Sequence, residues 1–269
     1  MNLPELQNIR IFQKLGRVDA KSLASCDQLL LILPAKPATS HFNQLPEGRK
    51  MQQVLRRSAP DSTPTFTTRL ANQRQTLVVA GTLDKDASAY DQLSLGRKLV
   101  AAACHQNAGS LGIAVIGFDS TRQAIIFNNM VAAALAAAFL LPSYRSKKSP
   151  PVIKSLRLLG ADEKVDTART EAEAKGNNLA RWLATMPPNK LNAVSYADLI
   201  SALATSSGWA YKRFNTKELT KLGAGAFVAV AQGNDDDSAG IIRLRYRPGK
   251  KTAKADLGLV GKGIIFDTG

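Results

Sequence analysis

Short apolar runs separated by helix-period segments fill the first 160 residues of the chain. Gln28–Pro34 (QLLLILP) ends at a proline and has the profile of a strand buried on both faces. Gln75–Ala80 (QTLVVA) is a second such run, with Gly81 turning the chain into Thr82, and Gly109–Phe118 (GSLGIAVIGF) is a third. Between them, Ala87–Cys104 spaces Tyr90, Leu93, Leu95, Leu99, Ala102 and Ala103 close to a helical period. Asp119-Ser120 offers N-cap chemistry for a helix from Thr121 to Leu141, stopped by Pro142. Ser143–Pro151 reads as a polar, basic loop, and Val152–Leu159 (VIKSLRLL) alternates as a strand does. Continuous apolar strands in strand–helix–strand order predict a mostly parallel sheet with helices on both faces.

The pattern changes at Val165. Val165, Ala168, Ala172, Leu179, Trp182, Leu183 and Met186 trace one helical face, with Glu171 and Lys175 as an i,i+4 pair on the other, until Pro187-Pro188 stops the helix. Alternation then resumes. A helix is expected over Ser195–Thr205 and a strand over Trp209–Phe214. Thr216 caps a short helix that Gly223 closes, and Gly240–Tyr246 (GIIRLRY) is a strand with its turn at Arg247–Lys250. Ala226–Gln232 is a short apolar stretch, and Leu257–Val260 is a strand leading into Gly261. The expected organisation is α/β throughout: an N-terminal domain over 1–163, a connecting helix over 164–187, and the start of a second α/β domain over 188–269.

Charge narrows the setting. Residues 1–160 carry 20 Lys+Arg against 9 Asp+Glu, and residues 161–269 carry 16 against 12, so most of the +15 net charge lies in the first part. A solvated basic face is the simpler reading; docking of nucleic acid or another acidic partner is the alternative, although no nucleic-acid motif accompanies the charge. Cys26 and Cys104 show no metal-type pairing and point to a reducing compartment. The N-terminal stretch has no signal-peptide pattern, and the longest apolar run, Val131–Pro142, falls short of the roughly 20 residues of a membrane span. A cytoplasmic, soluble protein is expected.

Candidate chemistry concentrates at VGKGIIFDTG, Val260–Gly269. Lys262 lies in a glycine turn beyond an apolar run, where α/β sheets present ligands, and Asp267 precedes a second turn. A phosphate site lacks the required glycine-lysine order. A cation site would use Asp267 as an oxygen ligand and Lys262 as a neutral amine, since an ammonium has no free lone pair. A surface lysine in a glycine turn and a turn-forming aspartate is the simpler reading of these residues by themselves. Asp235-Asp236-Asp237 lacks the alternating spacing and closing glutamate of a calcium loop. His41 and His105, the only histidines, make a histidine zinc site or a triad improbable.

LGLVGKGIIFDTG resembles the VGKG(I/L)TFDSGG signature of the leucyl aminopeptidase (cytosol aminopeptidase) family. Ala184–Leu191 (ATMPPNKL) resembles that family's N-x-P-P-N-x-L segment, and Gly223–Gly233 (GAGAFVAVAQG) its glycine-rich A-V-(A/G)-(Q/R)-G segment. The match covers about residues 180–269, while the first 160 residues fit the family's N-terminal domain only in architecture. The resemblance implies a macro-like three-layer N-terminal domain and a zinc-peptidase-like catalytic domain, truncated here within its first metal motif. It implies a two-metal exopeptidase using zinc, manganese or magnesium, with Lys262 as a metal ligand and Asp267 as the carboxylate bridging both ions. It further implies peptide substrates and a homohexamer when complete. Ile265, Thr268 and Asn192-Ala193 depart from the family pattern without removing a ligand. The remaining carboxylates, catalytic lysine and catalytic arginine of the family lie downstream of the motif, so the chain alone is expected to be inactive.

Overall fold

The computed structural model describes residues 3–4, 9–57, 65–105, 109–144, 146, 153–233, 238–249 and 257–263. The chain forms two compact units, Leu6–Arg181 and Trp182–Gly269, the latter together with Met1–Glu5.

The first unit is built on strands β1 (Arg10–Leu15), β2 (Gln28–Pro34), β3 (Phe66–Arg69), β4 (Leu77–Leu83), β5 (Ser110–Val115) and β6 (Ser155–Ala161). They form one sheet in the order β1-β6-β5-β2-β4-β3, parallel except for the β3–β4 edge pair. Successive side chains of a strand face opposite ways, so the apolar runs feed two cores. Leu30, Ile32, Val79, Leu111, Ile113, Val115, Leu156 and Leu158 pack under helices α4 (Ala89–Cys104) and α5 (Ser120–Ala138), against Leu99, Phe127 and Met130. Leu29, Leu31, Leu33, Val78, Ala80 and Ala114 pack on the other face. There they meet Leu23, Phe42 and Met51 of α1 (Ala20–Ala24), α2 (Thr39–Asn43) and α3 (Gly48–Arg57). Each fully buried side chain of this size contributes about 1.5–3 kcal/mol. The layers are helix–sheet–helix, as the run pattern predicts.

Several local expectations change. The strand at Gln75 does not turn at Gly81 but continues to Leu83. A Cβ on Gly81 would lie 2.7 Å from Leu95 Cδ1, so glycine lets α4 seat on the sheet. Helix α5 ends at Ala138, ahead of Pro142, because Phe139 takes an extended backbone. In helix α6 (Ala168–Thr185) the ion pair is Arg169–Glu173, while Glu171 accepts a hydrogen bond from Thr167. Ala168 and Ala172 are exposed, and the helix docks on α5 through polar groups. Thr170 donates to Asn128, and Arg181 donates to the Ala136 carbonyl and to Asn178.

The second unit contains α7 (Ala193–Ser207), β7 (Ala210–Asn215), α8 (Thr216–Lys221), α9 (Gly225–Ala231) and β8 (Gly240–Arg245), with β7 and β8 paired antiparallel. Asn215, not Thr216, caps α8 by accepting from the Glu218 amide. Among its described residues, Leu191, Ala197, Leu199, Ala204 and Leu219 are the buried hydrophobic side chains. Leu257–Val260 is not a strand. Its apolar side chains are exposed, Val260 fully, and among the described residues no strand runs beside it to satisfy its backbone groups. Among the described residues, no helix is long and apolar enough to cross a membrane.

Candidate functional site

The three motif segments all fall in the second unit, the first of them beginning at the end of α6. After Leu183, Pro187-Pro188 cannot continue α6, and the Pro187 carbonyl accepts from the amides of Lys190 and Leu191, both at 2.9 Å. Leu191 is buried by this turn. Asn192 then starts α7 through a reciprocal cap. Its side chain accepts from the Ser195 amide and its amide donates to Ser195 Oγ, each at 2.9 Å. In the second segment Gly223 adopts φ +75°, the left-handed conformation that ends α8, and α9 follows at once. A shallow groove of about 220 Å³ runs between α8 and α9, lined by Thr220, Gly223, Gly225, Val228, Ala229 and Gln232. Nothing titratable lines it, so it offers contact and hydrogen bonding but no acid–base chemistry.

The third segment carries the predicted ligands. Lys262 lies in an exposed stretch without regular structure, and a Cβ on neighbouring Gly263 would stand 3.6 Å from Tyr196 Cε1 of α7. Asp267 lies outside the described residues, as do Asp235, Asp236 and Asp237. Among the described residues no group of three or more His, Cys, Asp or Glu side chains could hold a metal ion. An amine and a carboxylate are suitable donors for one edge of a divalent site, but two donors do not complete even one coordination sphere. These two predicted ligands therefore do not by themselves make a two-ion centre.

The two histidines sit at helix ends. His105 follows α4 as its C-cap residue, and His41 Nδ1 accepts from the Ala38 amide at 3.2 Å. Burial pushes both the Cys26 and Cys104 thiols up, leaving them poor nucleophiles at neutral pH.

Residues 178–269 match the profile described as "Cytosol aminopeptidase family, catalytic domain". The cytosol aminopeptidase of Pseudomonas aeruginosa is 35% identical over 166 residues, 58% of this chain and 32% of that protein. A mutant of tomato leucine aminopeptidase has a similar structure, with a TM-score of 0.69 at 18% identity, covering 89% of this chain and 51% of that one. The bottromycin maturation enzyme BotP in complex with Mn gives a TM-score of 0.62 at 19% identity, covering 82% and 45%. At these identities the solved structures establish the fold. The chain spans less than half the length of the curated relatives it matches. The mixed α/β architecture is that of the leucine aminopeptidase chains, and residues 178–269 are similar to the catalytic domain of the cytosol aminopeptidase family.

Proposed function

We propose that the chain is the N-terminal domain (1–163), connecting helix (164–187) and opening part (188–269) of a two-metal aminopeptidase. That enzyme releases N-terminal residues, leucine-like ones preferentially, from peptides. The observation that carries this reading is VGKGIIFDTG, lying inside the family match and preceded by two further motif segments in order. In this reading Lys262 supplies a neutral amine and Asp267 a carboxylate to a centre that other residues complete. Zinc, manganese or magnesium ions bound there would polarise the scissile carbonyl and lower the pKa of a bound water. Manganese in the BotP complex supports a divalent ion of this class.

On this reading Lys262 and Asp267 alone do not make a working two-metal centre. The complete protein assembles as a homohexamer in the cytoplasm, a location supported by its relatives' name. The test compares this chain with a version extended through the whole catalytic domain, using a leucyl chromogenic amide and added manganese. Hydrolysis by the extended protein only is the expected result. Comparable turnover by the 269-residue chain would refute the division of the site.

A further inference from the structure

Among the described residues, one end of the sheet in the first unit is left uncovered on a single face. The core beneath α1, α2 and α3 reaches Leu159 on β6, but Arg157, on the same face two residues earlier, is only partly buried. Strand β1 forms the sheet edge beside it, in a register that sets Phe12 directly against Arg157. Phe12 is 41% exposed, an aromatic side chain open to solvent on the edge strand. Two guanidinium groups converge on it. Arg157 Cζ lies 4.8 Å and Arg10 Cζ 5.9 Å from the ring centroid.

Arg157 is held in place, and among the described residues neither cation is neutralised. Arg157 Nε donates to Ser110 Oγ at 3.2 Å, which leaves its terminal nitrogens available. Among the described residues neither Arg10 nor Arg157 has a carboxylate within ion-pair distance. Neighbouring Lys14 and Arg74, by contrast, are paired with Asp19 and Asp27. The surrounding chain adds a net positive field, with 20 Lys+Arg against 9 Asp+Glu over residues 1–160.

We propose that this β1–β6 face binds single-stranded nucleic acid, with Phe12 stacking a base and Arg10 and Arg157 taking the adjacent phosphates. An exposed aromatic among guanidiniums uses both parts of a nucleotide: the ring and the guanidinium planes accept a base, while the charges meet the backbone. An acidic polypeptide would engage the arginines and leave the ring idle. The surface lies wholly in the first unit and does not depend on the aminopeptidase reading.

The test is fluorescence anisotropy of a labelled oligothymidylate titrated with the full chain at low and rising salt. Binding is expected to weaken steeply with salt. Arg10→Gln and Arg157→Gln should each reduce the slope of log affinity against log salt by about 0.7. Phe12→Leu should weaken binding about tenfold at constant charge, and Phe12→Trp should restore it. Thermal melts establish that each variant is folded. If Phe12→Leu fails to fold, the exposed Arg10→Gln variant and competition by oligoglutamate decide the matter. Undetectable binding at low salt, wild-type affinity in folded Phe12→Leu, an unchanged salt slope in Arg10→Gln, or displacement by oligoglutamate as effective as by unlabelled oligothymidylate would each overturn the proposal.

Discussion

Single polar side chains tie the sheet to its loops, and these are where substitutions are felt most. Thr76 is fully buried, and its hydroxyl donates to the Cys26 carbonyl at 2.8 Å where the chain enters β2. Thr76→Val keeps the shape but removes the donor, so unfolding in urea should show a loss of about 1–3 kcal/mol. Gln123 is a second tie. Its amide donates to the carbonyls of Val115 and Gly160, and its oxygen accepts from the Asp162 amide. Gly81→Ala should also destabilise by about 1–3 kcal/mol, because the added methyl meets Leu95 and α4 must shift outward. Wild-type stability in that variant would show that α4 has room the packing does not suggest.

At the scale of elements, the helix starts give a pH dependence with a definite sign. Ser88 caps α4, and hydrogen bonds from its side chain and backbone hold the Asp91 carboxyl below the usual carboxylate range. A depressed carboxyl stabilises the fold above its unfolded value, near 3.9. That contribution disappears as pH falls through the folded value. The melting temperature of Asp91→Asn should therefore fall less than wild type as pH is lowered below about 4, and parallel profiles would contradict the cap.

Strands β2, β4 and β5 and helices α4 and α5 are legible from a continuous apolar run or a long helical period, and β6, β7 and β8 from shorter runs or alternation. Strand β1 is not legible because an edge strand with one open face reads RIFQKL, in which Arg10, Phe12 and Lys14 stay exposed. Strand β3, with four residues, and helices α1 and α2, with five each, are too short for a period to register. Leu257–Val260 fails in the opposite direction. Its composition suits a strand, but a strand exists only with a partner, which local sequence does not reveal. The candidate site was legible through residue order, not through physics, since one lysine and one aspartate specify no coordination sphere by themselves.

Across the whole chain the two units differ in how much they bury. The first closes two cores around one sheet, whereas the described part of the second buries five hydrophobic side chains and exposes Leu222, Val230, Ile241, Leu244 and Tyr246. Amide hydrogen exchange should therefore be fastest to report opening in α7, β7 and β8 and slowest in β2 and β5, because local opening follows buried contact. Equal protection in β2 and β8 would contradict that ranking. The central claim is that Lys262 and Asp267 are metal ligands of a cytosol aminopeptidase catalytic domain. Its most direct test is metal content, measured together with leucyl amide hydrolysis, in the protein extended through that domain. Lys262→Ala and Asp267→Ala should each lower bound metal and reduce turnover to background while the thermal melt of the first unit stays unchanged. Wild-type metal content and turnover in either variant would contradict the assignment.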